Sequence, residues 1–149
     1  MFMRYNPIKR GTLLFGMVFI FLMSACGGDD GPTPEELRLQ ELTATWTLDS
    51  VVNDGQDVSN QFNGFSLTVT SQQTYTTTNG GNAWPAQGTF SLVTNNLDEF
   101  TRDDDINVSI VSIDESSLTL SFQVTGIRTS VSGTEGITGS FTFNLNKTN

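Results

Sequence analysis

Residues 118–124 read LTLSFQV and residues 137–145 read ITGSFTFNL, and in both segments apolar and polar side chains alternate. Successive side chains of a β-strand point to opposite faces, so this alternation predicts two strands that each bury one face. The polar positions are mostly serine, threonine and asparagine, which suit a solvated outer face. These segments therefore predict a β-sheet with one apolar side.

The same pattern recurs upstream as far as residue 43, with turn residues between the segments. Six further strands are predicted, over residues 43–52, 65–70, 75–77, 87–93, 97–102 and 106–110. The eight strands predict an all-β fold, an eight-stranded antiparallel up-and-down barrel, because closure leaves no sheet edge exposed to other chains. A β-sandwich is the alternative. In the first strand the alternation places Trp46, Leu48 and Ser50 on the inner face.

A short helix is predicted before the first strand. Thr33-Pro34-Glu35-Glu36 has threonine at the N-cap, proline at the first helical position and glutamate at the third, which is the capping-box pattern. The apolar residues of this helix are Leu37, Leu39 and Leu42. A helix of about nine residues is too short to be stable alone, so it must pack against a larger element. We expect it to close one mouth of the barrel.

The first 25 residues differ from the rest of the chain. Arg4, Lys9 and Arg10 precede the apolar run LLFGMVFIFLM at 13–23, which is the pattern of a signal peptide. The run is shorter than the roughly 20 apolar residues of a membrane-spanning helix. LMSAC at 22–26 resembles the lipobox of bacterial lipoproteins, which implies cleavage before Cys26 and fatty acyl chains on its thiol. A plain secretory peptide or an uncleaved helix is the alternative.

Cleavage before Cys26 divides the chain into a signal peptide at 1–25, a tether at 26–33 and one domain at 34–149. The tether contains GGDDGP, which is flexible, acidic and free of large apolar residues. Acidic residues directly behind a lipidated cysteine resemble the export signals of surface lipoproteins in Bacteroidota. That resemblance implies a lipid anchor in the outer membrane, with the domain exposed at the cell surface. A linker facing the periplasm is the alternative.

Charge and composition exclude several classes of function. After residue 25 the chain has four basic and sixteen acidic residues, a formal charge of −12, so nucleic acid is not an expected partner. There is no histidine, the usual base of Ser-His and Cys-His mechanisms. Cys26 is the single cysteine, so neither an internal disulfide nor a cysteine-based zinc site is available. We expect no catalysis, no cofactor and no metal.

Acidic residues concentrate in two connected turns. They are Asp98, Glu99, Asp103, Asp104 and Asp105. Carboxylate oxygens are ligands that calcium prefers, but this spacing matches no calcium loop. We interpret the segment as a solvated acidic hairpin, with calcium binding as the alternative.

Several short motifs are shared with one family. They are LTATWTL at 42–48, Gly55, FSLT at 65–68, Tyr75, Trp84, GTF at 88–90, LTL at 118–120 and GSFTF at 139–143. Across residues 40–147 the chain resembles the lipocalin-like lipoproteins of Bacteroidota. One departure is Ala44, since true lipocalins often have glycine two residues before the first-strand tryptophan. The resemblance implies a small calycin-type barrel without an assigned ligand.

The candidate binding residues are mostly inward side chains of the predicted barrel. An eight-stranded barrel is only just wide enough to be filled by side chains or to hold one small molecule, and the large inward rings favour a mostly filled interior. If a cavity is present, Ser50 and Gly139 leave space in it, and Trp84 covers the mouth or stacks on a sugar ring. The candidate cavity contacts are Trp46, Ser50, Phe65, Tyr75, Trp84, Phe90, Phe122, Gly139 and Phe141.

These features predict a membrane-anchored, non-catalytic extracytoplasmic domain. Its expected partners are the membrane, through acyl chains on Cys26, and either a small apolar ligand or another envelope protein. A structural envelope protein with a filled core and a carboxylate-based carbohydrate-acting enzyme are the alternatives. Interior volume discriminates among them, because an apolar cavity favours ligand carriage, paired buried carboxylates favour the enzyme, and a filled core favours contact with proteins.

Overall fold

The computed structural model describes residues 31–125 and 138–148 of the chain. The predicted signal peptide, Cys26 and most of the tether lie outside the described residues, as does the segment 126–137. The single domain predicted at 34–149 is therefore described except for that segment and the last residue.

Helix α1, Pro34–Leu42, follows the predicted capping pattern. The hydroxyl of Thr33 accepts a hydrogen bond from the backbone N–H of Glu36, and the Glu36 carboxylate accepts one from the N–H of Thr33 at 2.7 Å. This reciprocal pair satisfies two N–H groups that have no partner within the helix. Leu42 is buried in the core, so α1 packs against the barrel.

Nine strands follow α1 in the described residues. They are β1 Thr45–Asn53, β2 Gln56–Asp57, β3 Ser66–Val69, β4 Thr74–Thr78, β5 Gln87–Val93, β6 Asn96–Arg102, β7 Asn107–Ile113, β8 Ser117–Val124 and β9 Gly139–Lys147. Neighbouring strands pair antiparallel, and β9 pairs with β1 over Trp46–Asn53, which closes an eight-stranded barrel. The predicted fold class is confirmed. The two-residue strand β2 is an addition that the sequence pattern did not indicate.

The antiparallel connections alternate between two ends of the barrel. The helix end carries α1 and the tight turns after β3, β5 and β7, and an ion pair of 2.6 Å between Arg38 of α1 and Asp98 of β6 fastens the helix there. The loop end carries the β1–β3 connection with a 3-10 helix (Ser59–Phe62), the β4–β5 connection and the β6–β7 turn. As predicted, α1 lies at one mouth of the barrel.

Strand β1 changes phase in its middle. Its register with β9 shifts between Leu48 and Ser50, which inserts one extra residue as in a β-bulge. Val51 is therefore fully buried, whereas the Ser50 hydroxyl accepts a hydrogen bond of 3.0 Å from the Asn144 side chain in the outward row of β9. The prediction that Ser50 faces inward is wrong, because strict alternation does not anticipate a bulge.

Candidate functional site

The interior of the barrel is filled by side chains. Inward side chains from the strands, the connections and α1 form one apolar core, and its large, almost fully buried rings include Trp46, Phe62, Phe65, Phe141 and Phe143. The enclosed space that remains measures about 10 Å³, which is close to the volume that one water molecule needs. Of the predicted cavity contacts, Tyr75, Trp84 and Phe90 border that space. In the described residues the interior offers no room for a small molecule unless a side chain moves.

The predicted contact residues divide into three groups. Seven are buried in the core, namely Trp46, Phe65, Tyr75, Trp84, Phe90, Phe122 and Phe141. Ser50 faces outward because of the bulge in β1. Gly139 does not leave space either, because the side chains of Asn53 and Asp54 occupy the position that a Cβ atom would take there. A backbone φ of +135° also explains why glycine stands at this position.

At the helix end, Trp46 of β1 closes the barrel. Its indole N–H donates a hydrogen bond of 3.0 Å to the carbonyl of Leu42, the last residue of α1. The ammonium group of Lys147 lies 5.6 Å from the centre of the Trp46 ring, within the range of a cation–π contact. The ring is fully buried and its one polar atom is satisfied.

At the loop end, two of the connecting segments that the structure describes close the barrel. Phe62 of the 3-10 helix is buried, with its ring centre 5.1 Å from that of Phe143. Ala83 and Trp84 of the β4–β5 connection are buried beside it, and the Trp84 side chain enters the core. Of the two roles weighed for Trp84, covering the mouth agrees with this burial, whereas stacking on a sugar would need an exposed ring face.

Arg102, at the end of β6, is a site residue that the sequence reasoning missed. It is 2% exposed and is the buried charged residue among those described. Its guanidinium donates from Nε and Nη2 to the Asp104 carboxylate at 3.0 and 2.5 Å and from Nη1 to the carbonyl of Ala83 at 2.9 Å. The sequence did contain a sign that Arg102 points inward, because it is two residues beyond Phe100 and therefore lies on the same face of the strand.

The guanidinium also lies over aromatic rings. Its central carbon is 4.5 Å from the centre of the Trp84 ring and 5.4 Å from that of Phe122. A buried cation is costly unless it is paired and hydrogen-bonded, and here both conditions are met. Arg102 therefore fastens the β4–β5 connection to the barrel wall through the Ala83 carbonyl and the face of the Trp84 indole.

Tyr75 reaches the same end from β4. Its hydroxyl donates to the Asp103 carboxylate at 3.3 Å, and the other oxygen of that carboxylate accepts from the backbone N–H of Thr89. Burial raises the pKa of the Tyr75 phenol to about 12. Gly88 faces the ring across the strand pair, where a Cβ atom would lie 2.5 Å from the Tyr75 hydroxyl oxygen. Only glycine leaves room for this arrangement.

The acidic residues that the sequence placed in two connected turns separate in space. Asp98 pairs with Arg38 at the helix end, whereas Asp103 and Asp104 bond to Tyr75 and Arg102 at the loop end. Across 31–125 and 138–148, no group of three or more residues has the placement needed to hold a metal ion. These carboxylates therefore form two separate structural networks.

The outer wall carries open grooves. One of about 440 Å³ lies between β1 and the 3-10 helix and is lined by polar residues that include Asp49, Asn60 and Asn63. Another of about 610 Å³ runs beside α1 and reaches Lys147. Both are wide and shallow, so they suit the contact of another surface better than the enclosure of a small molecule.

Comparison with known protein families, with curated proteins and with solved structures finds no match for this chain. Within the part of the chain that the structure describes, no helix is both long enough and apolar enough to span a bilayer. The class of the protein therefore follows from its fold, a closed antiparallel β-barrel with a filled interior.

Proposed function

We propose that the protein is a lipid-anchored, non-catalytic extracytoplasmic domain that contacts other envelope proteins through the outer wall of its barrel. The observation that carries the contact role is the filled interior, whose remaining space is about 10 Å³. A barrel of this kind interacts with other molecules through its surface unless it rearranges. The anchor is supported by the lipobox-like LMSAC at 22–26 and by the basic and apolar leader before it.

The surface charge indicates which contacts are favoured. Each described basic side chain is engaged: Arg38 with Glu41 and Asp98, Arg102 with Asp104, and Lys147 over the Trp46 ring. Most acidic side chains remain on the surface, so the wall presents net negative charge. A neutral or basic protein surface is the complementary partner, and anionic nucleic acid is not.

The anchor is tested by fractionation. We expect the mature protein to begin at Cys26 with fatty acids attached and to partition with membranes, because several acyl chains bind a bilayer almost irreversibly. Globomycin, which blocks lipoprotein signal peptidase, should make the uncut precursor accumulate. The matched control is Cys26→Ser, which should leave the membrane fraction. A Cys26→Ser protein that stays with membranes contradicts the anchor.

The contact role is tested by cross-linking in cells. A photoreactive amino acid at Asn60, which is exposed beside the groove on β1, should give adducts with envelope proteins. The same substitution at Ser109, an exposed residue of β7, serves as the control on another part of the wall. Adducts at Asn60 should disappear when Cys26→Ser removes the anchor. Absence of adducts at both positions contradicts the proposal.

The location is also part of the proposal, namely the outer membrane with the domain exposed at the cell surface. It rests on Asp29 and Asp30 directly behind the anchor. We expect Asp29→Ala with Asp30→Ala to keep the protein in membranes but protect it from protease added to intact cells. A double variant as accessible as the unaltered protein argues for another signal or another leaflet.

Small-ligand binding is a second candidate function, favoured by one observation. The indole that occupies the loop end of the barrel belongs to a connecting segment, whereas most of the core side chains around it belong to the barrel wall. A side chain in a connecting segment can leave the core while the strands keep the hydrogen bonds that pair them with one another.

A further inference from the structure

Five side chains of the barrel wall surround the Trp84 indole, and we refer to them as the Trp84 box. They are Phe65 directly before β3, Tyr75 of β4, Arg102 of β6, Phe122 of β8 and Phe143 of β9. None of them belongs to the β4–β5 connection that carries Trp84. The box is therefore a feature of the wall, and the indole is its occupant.

The box has the geometry of a site for a flat aromatic ring. The rings of Tyr75, Phe122 and Phe143 stand nearly perpendicular to the indole, at interplanar angles of 80°, 79° and 81°. The Arg102 guanidinium lies over the ring at 4.5 Å from its centre. T-shaped ring pairs and a cation over the ring both favour an aromatic occupant over a saturated ring of the same size.

The indole itself is an imperfect occupant of the box. Trp84 is 2% exposed, yet its N–H has no hydrogen-bond partner among the described residues. A buried donor without a partner destabilises the closed state. A ring of the same shape that lacks the N–H group avoids that penalty.

Few bonds to the wall hold residues 80–84 themselves, and the attachment to β4 begins directly after them, where the carbonyls of Pro85 and Ala86 accept hydrogen bonds from Thr77 at 2.7 and 2.8 Å. The N–H groups of Ala83 and Trp84 both donate to the carbonyl of Gly80, so these bonds move with the turn. Between residues 82 and 84, the hydrogen bond to the wall is the one from Arg102 to the Ala83 carbonyl. Asn79 and Gly81 have φ values of 54° and 56°, which places a tight turn at the start of the segment.

We propose that the Trp84 box is a binding site for a flat, electron-rich, two-ring aromatic molecule without an N–H donor, and that the Trp84 indole is its internal competitor. Residues 80–84 move outward to admit the ligand. The inference rests on the second candidate function and is independent of the lipid anchor. The recognition chemistry comes from Arg102 on the π-face and from wall rings that stand perpendicular to the ligand ring.

The experiment uses the mature protein and benzofuran, which has the shape of indole with oxygen in place of N–H. The mature chain contains two tryptophans, so its NMR spectrum has two indole N–H signals, and Trp46 provides an internal reference. We expect saturating benzofuran to move the Trp84 signal to the position of a solvated indole and to leave the Trp46 signal in place. Indole should bind roughly tenfold more weakly than benzofuran.

Two controls test the mechanism. Trp84→Ala removes the competitor and should bind benzofuran at least tenfold more tightly than the unaltered protein, because no closed state has to be opened. Hydrindane, a saturated molecule with the same fused rings, should bind neither protein measurably, since it offers the guanidinium no π-face. The measurement on the unaltered protein stands even if Trp84→Ala does not fold.

A Trp84 signal that stays unchanged up to the solubility limit of benzofuran overturns the proposal, whatever the Trp84→Ala variant binds. Equal binding of benzofuran and hydrindane also overturns it, because shape alone would then explain the affinity. If another apolar probe binds without moving the Trp84 signal, ligand binding as a function survives and the Trp84 box is not the site. None of these outcomes affects the tests of the anchor and of the outer wall.

Discussion

The two ends of the barrel are each closed by a tryptophan, and the two tryptophans differ in how they are held. At the helix end Trp46 comes from β1, and its N–H is bonded to a carbonyl four residues earlier in the chain. At the loop end Trp84 comes from a connection, has no N–H partner within the described residues, and depends on a guanidinium 18 residues later in the sequence. A local hydrogen bond therefore satisfies the Trp46 indole N–H, whereas the Trp84 indole is held by a cation from another strand.

The largest expected effect comes from removing the cation of the loop end. Arg102→Met removes the guanidinium that pairs with the Asp104 carboxylate, whose side chain is 14% exposed, and it removes the donor to the Ala83 carbonyl. Breaking a buried ion pair from one side costs about 3–5 kcal/mol in the free energy of unfolding. Lys147→Met, the matched change at the exposed helix end, should cost less than about 1 kcal/mol. Urea unfolding at pH 7 measures both.

A second substitution shows whether charge or packing causes that loss. Arg102→Met combined with Asp104→Asn removes both charges, so it should recover part of the stability lost in Arg102→Met alone. Losses that simply add would mean that the ion pair contributes little. In that case the loss of stability in Arg102→Met would come from lost packing and not from lost charge.

The next effect is a loss of stability in alkaline solution that involves the loop end. Burial raises the pKa of Tyr75 to about 12, whereas an unfolded tyrosine has a pKa of about 10. The fold therefore favours the neutral phenol, and its contribution is complete below pH 10 and is lost as the pH rises towards 12. Asp103, which accepts the Tyr75 hydroxyl, is exposed, so solvent screens part of this effect. We therefore expect the free energy of unfolding to fall by roughly 1–2 kcal/mol.

Two measurements check this expectation. Tyr75 is the one tyrosine after residue 26, so in a protein prepared to begin at Cys26 the phenolate absorbance titrates that residue alone. Tyr75→Phe should remove the part of the alkaline destabilisation that belongs to the phenol. A phenolate midpoint near 10 in the folded protein would show that the hydroxyl is not held as the structure describes.

Matched substitutions compare the two tryptophans directly. Trp46→Phe leaves the Leu42 carbonyl without its donor, whereas Trp84→Phe removes a donor that has no partner in the described structure. Both substitutions lose similar ring area, so the difference isolates the hydrogen bond. We expect Trp46→Phe to lower the free energy of unfolding by roughly 1 kcal/mol more than Trp84→Phe. The reverse order would show that Trp84 has a partner.

Features that depend on nearby residues could be predicted from the sequence, and features that depend on distant residues could not. Alternation over 118–124 and the capping box at Thr33 act locally, so the strands and α1 are confirmed with small shifts at their ends. The bulge at Ser50 and the burial of Arg102 depend on partners far along the chain, on β9 and in the β4–β5 connection. Alternation with Phe100 indicates that Arg102 points inward, but arginine is mostly exposed, and the pattern does not show which groups satisfy its charge. The large inward rings did indicate a mostly filled interior, whereas the way in which rings from different strands interlock depends on distant partners.

The smallest effect concerns the turn after β7 at the helix end. The Asp114 carboxylate accepts hydrogen bonds from the side chains and backbone N–H groups of Ser116 and Ser117, which lower the pKa of Asp114 well below its usual range. Its contribution is therefore present above about pH 4, the pKa of an unfolded aspartate, and is lost as the pH falls below that value.

We expect Asp114→Asn to lose less stability than the unaltered protein when urea unfolding is repeated at pH 3 instead of pH 7, because the variant has no carboxylate to protonate at this turn. Glu115→Gln removes a charge from the neighbouring residue without touching these bonds, so it should keep the full acid sensitivity of the unaltered protein. Because the turn is solvated, the change should be small. Equal behaviour of Asp114→Asn and Glu115→Gln would show that general charge, and not the hydrogen-bonded turn, governs acid stability at the helix end.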